Sequence, residues 1–124
     1  MPTPHRIRLH GPWELRTNNA TSSLTVPNTL PVGGSVSLYR RFGQPTNLNQ
    51  ESVWLVLDGV RGIPTLTLNG TSLAAVADYA EIDITTLLQQ RNLLEVAFTD
   101  ATVTDGITGA VYLEIREADY INDV

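Results

Sequence analysis

Thirteen carboxylates and two histidines are the side chains in this 124-residue sequence that could do acid–base or nucleophilic chemistry. A catalytic carboxyl pair needs a defined separation, with one member desolvated so that it can hold a proton. Nearly all of the carboxylates here fall in predicted loops or at alternating, solvent-facing strand positions. The histidines, His5 and His10, both lie near the N-terminus, and no Gly-x-Ser-x-Gly motif is present. The sequence therefore predicts no intrinsic catalysis.

The same residues form a poor set of metal ligands. His5 and His10 have no acidic residue near them in sequence, and the chain has no cysteine to supply a thiolate. Asp100 and Asp105 could gather in loops with Glu81 or Asp83, but no segment has the density of acidic residues that a calcium loop requires. We expect neither a metal nor a cofactor.

Aromatic side chains indicate a different chemistry, because their rings can pack on the C–H faces of a sugar while planar polar groups bind its hydroxyls. Trp13, in a Gly-Pro-Trp segment, is interpreted as a core residue that closes one end of the fold. Trp54 lies in the pleat opposite Val53 and Leu55. Two interpretations of Trp54 stay open: burial under a loop or edge strand, or an exposed platform.

Further candidates occupy the polar side of other predicted strands. Tyr39 and Tyr112 both alternate with apolar residues, and Arg41 shares a face with Tyr39. If these strands are adjacent, a shallow binding surface for carbohydrate would form from Tyr39, Arg41, Trp54 and Tyr112, while Tyr79, in a loop-to-strand transition, is a fifth candidate. The alternative is that all five are ordinary half-exposed residues.

Alternating apolar and polar residues in short runs predict that these side chains are held by β-strands. The predicted strands cover residues 6–9, 13–15, 24–26, 35–42, 53–57, 65–68, 79–84, 93–99 and 110–116. Many short strands with almost no helix are typical of an all-β antiparallel β-sandwich.

Turn signals separate these strands. Asn69-Gly70 predicts a type I′ hairpin, and Asp58-Gly59 is interpreted as the end of the central strand. Residues 18–23 are predicted to be a polar loop. The only plausible helix is a single turn over residues 85–90, capped by a threonine hydroxyl.

Length and composition predict one domain over residues 1–124, with a core over about 6–117 and a frayed tail at 118–124. The net charge of −5 disfavours nucleic acid as a partner. No membrane-spanning apolar run occurs, and residues 1–10 lack the apolar core of a signal peptide. Two expectations for its location stay open: a cytoplasmic chain, or a domain cut from a longer protein.

Several motifs, taken in order, resemble a known family. They are Leu9-x-Gly11-x-Trp13, Val26-Pro27, Leu38-x-Arg40-x-Phe42-x-x-Pro45, Leu55-x-Leu57-Asp58-Gly59-Val60, Leu66-x-Leu68-Asn69-Gly70, Asp83-Ile84-Thr85 and Asn92-x-Leu94-x-Val96. Together they resemble the N-terminal sugar-binding domain of family 2 glycoside hydrolases. That resemblance implies a jelly roll of the galactose-binding-domain-like class. In the family, a second sandwich and a catalytic barrel follow this domain, and neither is present in this sequence.

The resemblance implies a non-catalytic module that binds carbohydrate weakly, or that supports other domains or subunits of a glycosidase. The alternative is a structural or protein-interaction β-sandwich without a sugar site. One departure bears on this choice. The family often has Gly-Ile-aromatic-Arg before its last strand, whereas this chain has Gly106-Ile107-Thr108-Gly109.

Overall fold

A computed structural model describes residues 5–46, 48–73 and 78–117 of the chain. Twelve strands carry almost all of the regular structure in these residues. The strands are β1 His5–Arg8, β2 Pro12–Arg16, β3 Thr21–Thr25, β4 Asn28–Thr29, β5 Gly34–Gly43, β6 Ser52–Arg61, β7 Thr65–Leu68, β8 Thr71–Ser72, β9 Asp78–Asp83, β10 Arg91–Ala101, β11 Gly106–Ile107 and β12 Val111–Arg116.

The strands form two antiparallel sheets of six. The first sheet has the order β1-β12-β6-β11-β4, with β9 paired to the free side of β6. The second sheet has the order β3-β2-β5-β10-β7-β8. The prediction of an all-β antiparallel sandwich with one short helical turn is confirmed.

The core lies between the sheets and follows from the alternation in the strands. Val53, Leu55 and Leu57 project inward from β6, and Leu38 and Val96 do so from the second sheet; all five are fully buried. Burying rows of branched apolar side chains from two facing sheets is the main stabilising contribution to a sandwich of this kind.

Trp13 is part of this core, as expected. It is 1% exposed, and its indole N–H donates to the carbonyl oxygen of Leu9 at 2.9 Å. The ring fills space between the sheets while its one polar atom keeps a hydrogen bond.

The predicted hairpin is confirmed, because Asn69 and Gly70 have φ values of 54° and 83° and join β7 to β8. The predicted end of the central strand at Asp58-Gly59 is wrong. Gly59, at φ 75°, lies within β6 where the register with β9 shifts, and the strand runs on to Arg61. A glycine is needed there, since a Cβ atom would lie 2.7 Å from the backbone nitrogen of Gly109.

Two other local predictions also change. The predicted loop at 18–23 overlaps β3, because Thr21 and Ser22 pair with β2. The helical turn is a 3₁₀ helix over Thr85–Leu87 without a hydroxyl cap. The Thr85 hydroxyl instead accepts a hydrogen bond from the backbone N–H of Val53 at 2.8 Å, and the Asp83 carboxylate accepts one from the N–H of Thr85 at 3.0 Å.

The predicted tail at 118–124 lies outside the described residues. Within residues 5–46, 48–73 and 78–117, no helix is long and apolar enough to cross a membrane.

Candidate functional site

The five candidate binding residues lie on opposite outer faces of the sandwich. Trp54, Tyr79 and Tyr112 belong to the first sheet, where β9 and β12 flank β6. Tyr39 and Arg41 belong to β5 in the second sheet. The condition that all these strands are adjacent is therefore not met, and the single polar-aromatic surface predicted from the sequence does not form.

The outer face of the first sheet carries a row of stacked and paired side chains, which we call the ladder face: Arg6, Trp54, Tyr79, Glu81, Tyr112, Glu114 and Arg116. Trp54 is half-buried and donates from its indole N–H to the Ser52 hydroxyl at 3.0 Å. The Arg116 guanidinium lies 4.2 Å from the centre of the Trp54 ring. The ring is thus not an open platform, because a cation covers one of its surfaces.

Glu114 is the centre of the ladder face. It is only 6% exposed although it lies on the outer side of the sheet. Arg6 Nε donates to Glu114 at 2.9 Å and Arg116 Nε donates to it at 2.7 Å. Burial raises the pKa of Glu114, but the hydrogen bonds from Arg116 and Arg6 outweigh burial and hold the pKa below its usual value.

Tyr112 is covered in the same way as Trp54. The Arg6 guanidinium lies 4.7 Å from the centre of the Tyr112 ring. Arg6 therefore uses its flat surface for the ring and its N–H for Glu114, a combination that suits a planar guanidinium.

Tyr79 and Glu81 form the other end of the ladder face. The Tyr79 hydroxyl donates to the Glu81 carboxylate, which also accepts from Arg116 at 2.6 Å. The hydrogen bonds from Tyr79 and Arg116 lower the pKa of Glu81, and the bond to Glu81 raises the pKa of Tyr79 to about 12. Tyr79 is 50% exposed, so it is the most accessible of the candidate rings.

The outer face of the second sheet repeats the pattern on a smaller scale. The Arg16 guanidinium lies 4.2 Å from the centre of the Tyr39 ring, and the Tyr39 hydroxyl donates to Glu95 at 3.0 Å. Arg41 is exposed, and the nearest carboxylate oxygen, on Glu14, is 3.9 Å from its guanidinium. Glu14 is itself hydrogen-bonded to Arg16.

Both faces thus have the aromatic and planar polar groups that a sugar requires, but most of these groups are already paired with one another. An arginine lies over one surface of the Trp54, Tyr112 and Tyr39 rings. A sugar stacking on that surface would have to displace the arginine and break its ion pairs. Tyr79 has no arginine stacked on it among the described residues.

That Arg6, Glu81, Glu114 and Arg116 form one cluster was not predicted from the sequence. Alternation within residues 110–116 does place Glu114 and Arg116 opposite Leu113 and Ile115. The missing information was the pairing of β1 with β12, which joins residues 108 positions apart. No local pattern in the sequence encodes that pairing.

Within the part of the chain that the structure describes, no three His, Asp or Glu side chains come close enough together to hold a metal ion. Asp100 and Asp105 therefore do not join Glu81 or Asp83 in a calcium-like cluster.

Comparison with solved structures relates this fold to enzymes. A β-D-glucuronidase from Dictyoglomus thermophilum superimposes with a TM-score of 0.81 and 16% identity, over 94% of this chain and 29% of that enzyme. A β-glucuronidase from Ruminococcus gnavus gives 0.79 and 14% identity, over 91% and 29% of the two chains. An FMN-binding β-glucuronidase from Facaelibacterium prausnitzii L2-6 gives 0.78 and 21% identity, over 92% and 23%.

The chain has the fold of a β-sandwich found in β-glucuronidases. It spans 23% to 29% of the length of those enzymes. No protein-family model matches the sequence, and no curated protein matches it either. The similarity agrees with a glycoside hydrolase-related β-sandwich at the level of the fold, and the more specific N-terminal sugar-binding domain stays a prediction.

Proposed function

We propose that this chain is a non-catalytic β-sandwich module that packs against other domains or subunits of a glycoside hydrolase. The observation that carries this proposal is the unequal coverage of the structural match. Nearly the whole of this chain superimposes on β-glucuronidases, but it accounts for only 23% to 29% of their length. A chain whose fold corresponds to one part of a larger enzyme is suited to an accessory role in such an enzyme.

The electrostatics of the ladder face support a non-catalytic role. Glu81 and Glu114, the two glutamates of the ladder face, are bridged by Arg116. Hydrogen bonds from Tyr79 and Arg116 lower the pKa of Glu81, and those from Arg116 and Arg6 lower the pKa of Glu114, so both stay ionised near neutral pH. A glycosidase needs one of its two carboxyls to be protonated, with a raised pKa.

One end of the sandwich supports packing against a partner. Three aliphatic side chains in loops are well exposed there: Val32 at 43%, Ile63 at 78% and Val103 at 57%. We call this set the aliphatic end. Exposed aliphatic residues in adjoining loops mark a surface that another domain can cover.

The loops of the aliphatic end adjoin one another. The backbone N–H of Leu30 donates to the carbonyl of Asp105 at 2.8 Å. A Cβ atom on Gly33 would lie 2.7 Å from the Ala101 carbonyl, and one on Gly62 would lie 2.9 Å from the Asp105 carboxyl carbon. The loops that carry Val32, Ile63 and Val103 therefore lie next to one another at the same end of the sandwich.

The test begins with the reading frames that surround the coding sequence. We expect them to encode a glycoside hydrolase barrel, and we expect that barrel to form a complex with this chain when the two are co-expressed and analysed by light scattering. Serine at Val32, Ile63 and Val103 should weaken the complex. The matched control, alanine at Asn18, Asn19 and Thr21, changes exposed residues elsewhere.

Two outcomes would contradict the proposal. The first is a purified chain that hydrolyses aryl glycosides unaided, because the module would then be an enzyme. The second is the absence of any complex with an encoded barrel, or a complex that the serine variant does not weaken.

Weak carbohydrate binding is a second candidate, and the exposure of Tyr79 favours it. Its ring is half-exposed on the ladder face, and Trp54 on the same face provides a fluorescent reporter. Titration with mono- and oligosaccharides should shift the tryptophan emission, and Tyr79→Ala should abolish the shift. No change at millimolar sugar in either protein would count against a sugar site on this face.

A further inference from the structure

The second sheet contains a depression where β5 ends and β10 begins, beside the β7–β8 hairpin. Its volume is about 490 Å³, and it is lined by Arg41, Phe42, Gly43, Asn69, Arg91, Asn92 and Leu93. Small-molecule sites typically occupy about 300–1,000 Å³. The depression is therefore large enough for a small ligand.

Two arginines in this lining belong to the same outer face. Leu93 pairs with Arg41 and Arg91 pairs with Gly43 across the β5–β10 ladder. Arg41 and Arg91 are thus diagonal neighbours, a relation in which long side chains of adjacent strands reach each other. Both guanidiniums can therefore donate hydrogen bonds to one ligand group placed between them.

Neither guanidinium has a carboxylate within hydrogen-bond distance among the described residues. Arg91 is exposed and takes part in no ion pair there. Arg41 has only Glu14, at 3.9 Å, and that carboxylate is shared with Arg16. This contrasts with the ladder face, where Arg6 and Arg116 each bind a glutamate.

One side of the depression is open, whereas the residues on its other side are held by hydrogen bonds. Gly43 faces Arg91 without a side chain, and a Cβ atom there would meet nothing closer than the Gln90 carbonyl at 3.9 Å. On the other side, the Asn69 amide donates to Asn92 at 2.9 Å and its oxygen accepts from the N–H of Leu93 at 2.8 Å. These partly buried hydrogen bonds hold the start of β10, the strand that carries Arg91.

We propose that this depression binds a carboxylate-bearing small molecule. Arg41 and Arg91 donate to the carboxylate oxygens, since a guanidinium matches a planar carboxylate in geometry and charge. Leu93, which lies on the same outer face as the two arginines, contacts the apolar part of the ligand. The site is separate from both the aliphatic end and the ladder face, and it does not depend on the function proposed above. The carboxylate could come from a sugar acid or from a free organic acid.

The test follows the backbone amides and the arginine Nε–H signals of ¹⁵N-labelled protein by NMR at constant ionic strength. Galacturonate should shift the signals of Arg41 and Arg91 in a saturable way, whereas galactose, which lacks the carboxylate, should not. Arg41→Gln and Arg91→Gln should each weaken binding by about fivefold or more. Arg61→Gln, which removes the same charge from an exposed arginine on β6, should change the affinity by less than about twofold.

A second titration with succinate identifies the source of the carboxylate. Equal binding of succinate and galacturonate would mean that a free acid is sufficient, and binding of galacturonate alone would mean that the sugar ring contributes; both results support the site. Absence of saturable shifts with either acid, equal shifts with galactose, or an Arg91→Gln protein that matches Arg61→Gln would overturn the proposal.

Discussion

Asn92 is the polar residue on which the end of the second sheet depends most. It is 3% exposed, and its side-chain amide makes four hydrogen bonds. It donates to the Phe42 carbonyl at 3.3 Å and the Gln89 carbonyl at 2.9 Å, and accepts from the Gln89 N–H at 2.8 Å and from Asn69 at 2.9 Å. With all four of its hydrogen-bonding positions used, the Asn92 amide connects β10 to β5, to the turn at Gln89 and to the β7–β8 hairpin.

Asn92→Ala should lower the free energy of unfolding by about 2–4 kcal/mol, because it leaves buried polar partners unsatisfied. Urea denaturation followed by circular dichroism measures the change. Asn18→Ala, at an exposed position without a side-chain hydrogen bond among the described residues, should change it by less than about 0.5 kcal/mol. Equal effects of the two substitutions would contradict the role given to Asn92.

The sequence predicted some residues of the candidate site correctly and others only in part. Trp13 was placed in the core because it stands in a Gly-Pro-Trp break between apolar strands, and Asn69 was interpreted as a turn residue. Tyr39 and Trp54 were predicted to share one surface because both alternate with apolar neighbours along their strands. Alternation shows that a side chain points away from the core, but it does not show which of the two sheets carries that side chain. Nor could it predict Arg91, which was two residues outside the predicted strand.

At the scale of strands, the ladder face ties β1, β12, β6 and β9 together across their outer surface. Arg6 on β1, Glu114 and Arg116 on β12, and Glu81 on β9 form a continuous chain of ion pairs. Such a network loses less conformational freedom for each contact than isolated pairs do, because Glu114 and Arg116 are each held by two ion-pair partners. We expect it to stabilise the first sheet as long as its glutamates are ionised.

The unfolding free energy should therefore fall on acidification. The folded pKa values of Glu81 and Glu114 lie below those of the unfolded chain, so their contribution is present above about pH 4.3 and is lost as the pH falls through the folded values. Urea denaturation of the wild-type protein and Glu114→Gln between about pH 7 and pH 3 measures the contribution. The variant should be less stable at neutral pH, and the two curves should converge in acid.

The control for this series is Asp100→Asn, at an exposed carboxylate without a hydrogen bond among the described residues. Its curve should follow that of the wild-type protein. A constant difference between wild type and Glu114→Gln over the whole pH range would show that ionisation of Glu114 is not the cause.

The ends of the strands show where local sequence patterns determine the structure and where tertiary contacts override them. Residues 65–68 and the Asn69-Gly70 turn were predicted as observed because the alternation and the turn chemistry agree. Asp58-Gly59 has equally strong turn chemistry, yet β6 continues through it, since β9 and β11 supply hydrogen bonds on both sides. Thr85 has a capping side chain, but its hydroxyl is used by β6 instead.

For the molecule as a whole, the two sheets share one core and draw their strands from both halves of the sequence. The first sheet combines β1, β4 and β6 with β9, β11 and β12, and the second is equally mixed. Neither sheet can keep its apolar face buried when the other is lost. We therefore expect the sheets to unfold together.

Two single-tryptophan variants test this expectation. Trp54→Phe leaves Trp13 as the reporter of the second sheet, and Trp13→Phe leaves Trp54 as the reporter of the first. In each variant, the urea transition seen by fluorescence should coincide with that seen by far-ultraviolet circular dichroism. Different midpoints within one variant would show that the sheets unfold separately.

The pairing of β1 with β12 has a consequence for protein engineering. His5 lies directly opposite Ile115 in an antiparallel ladder, so the start of β1 and the end of β12 are neighbours at one edge of the first sheet. A short linker could join them into a ring, and the ring could be reopened in the connection between β5 and β6 to give a circular permutant. The same proximity allows the unit to be grafted into a surface loop of a host protein without forcing the loop apart.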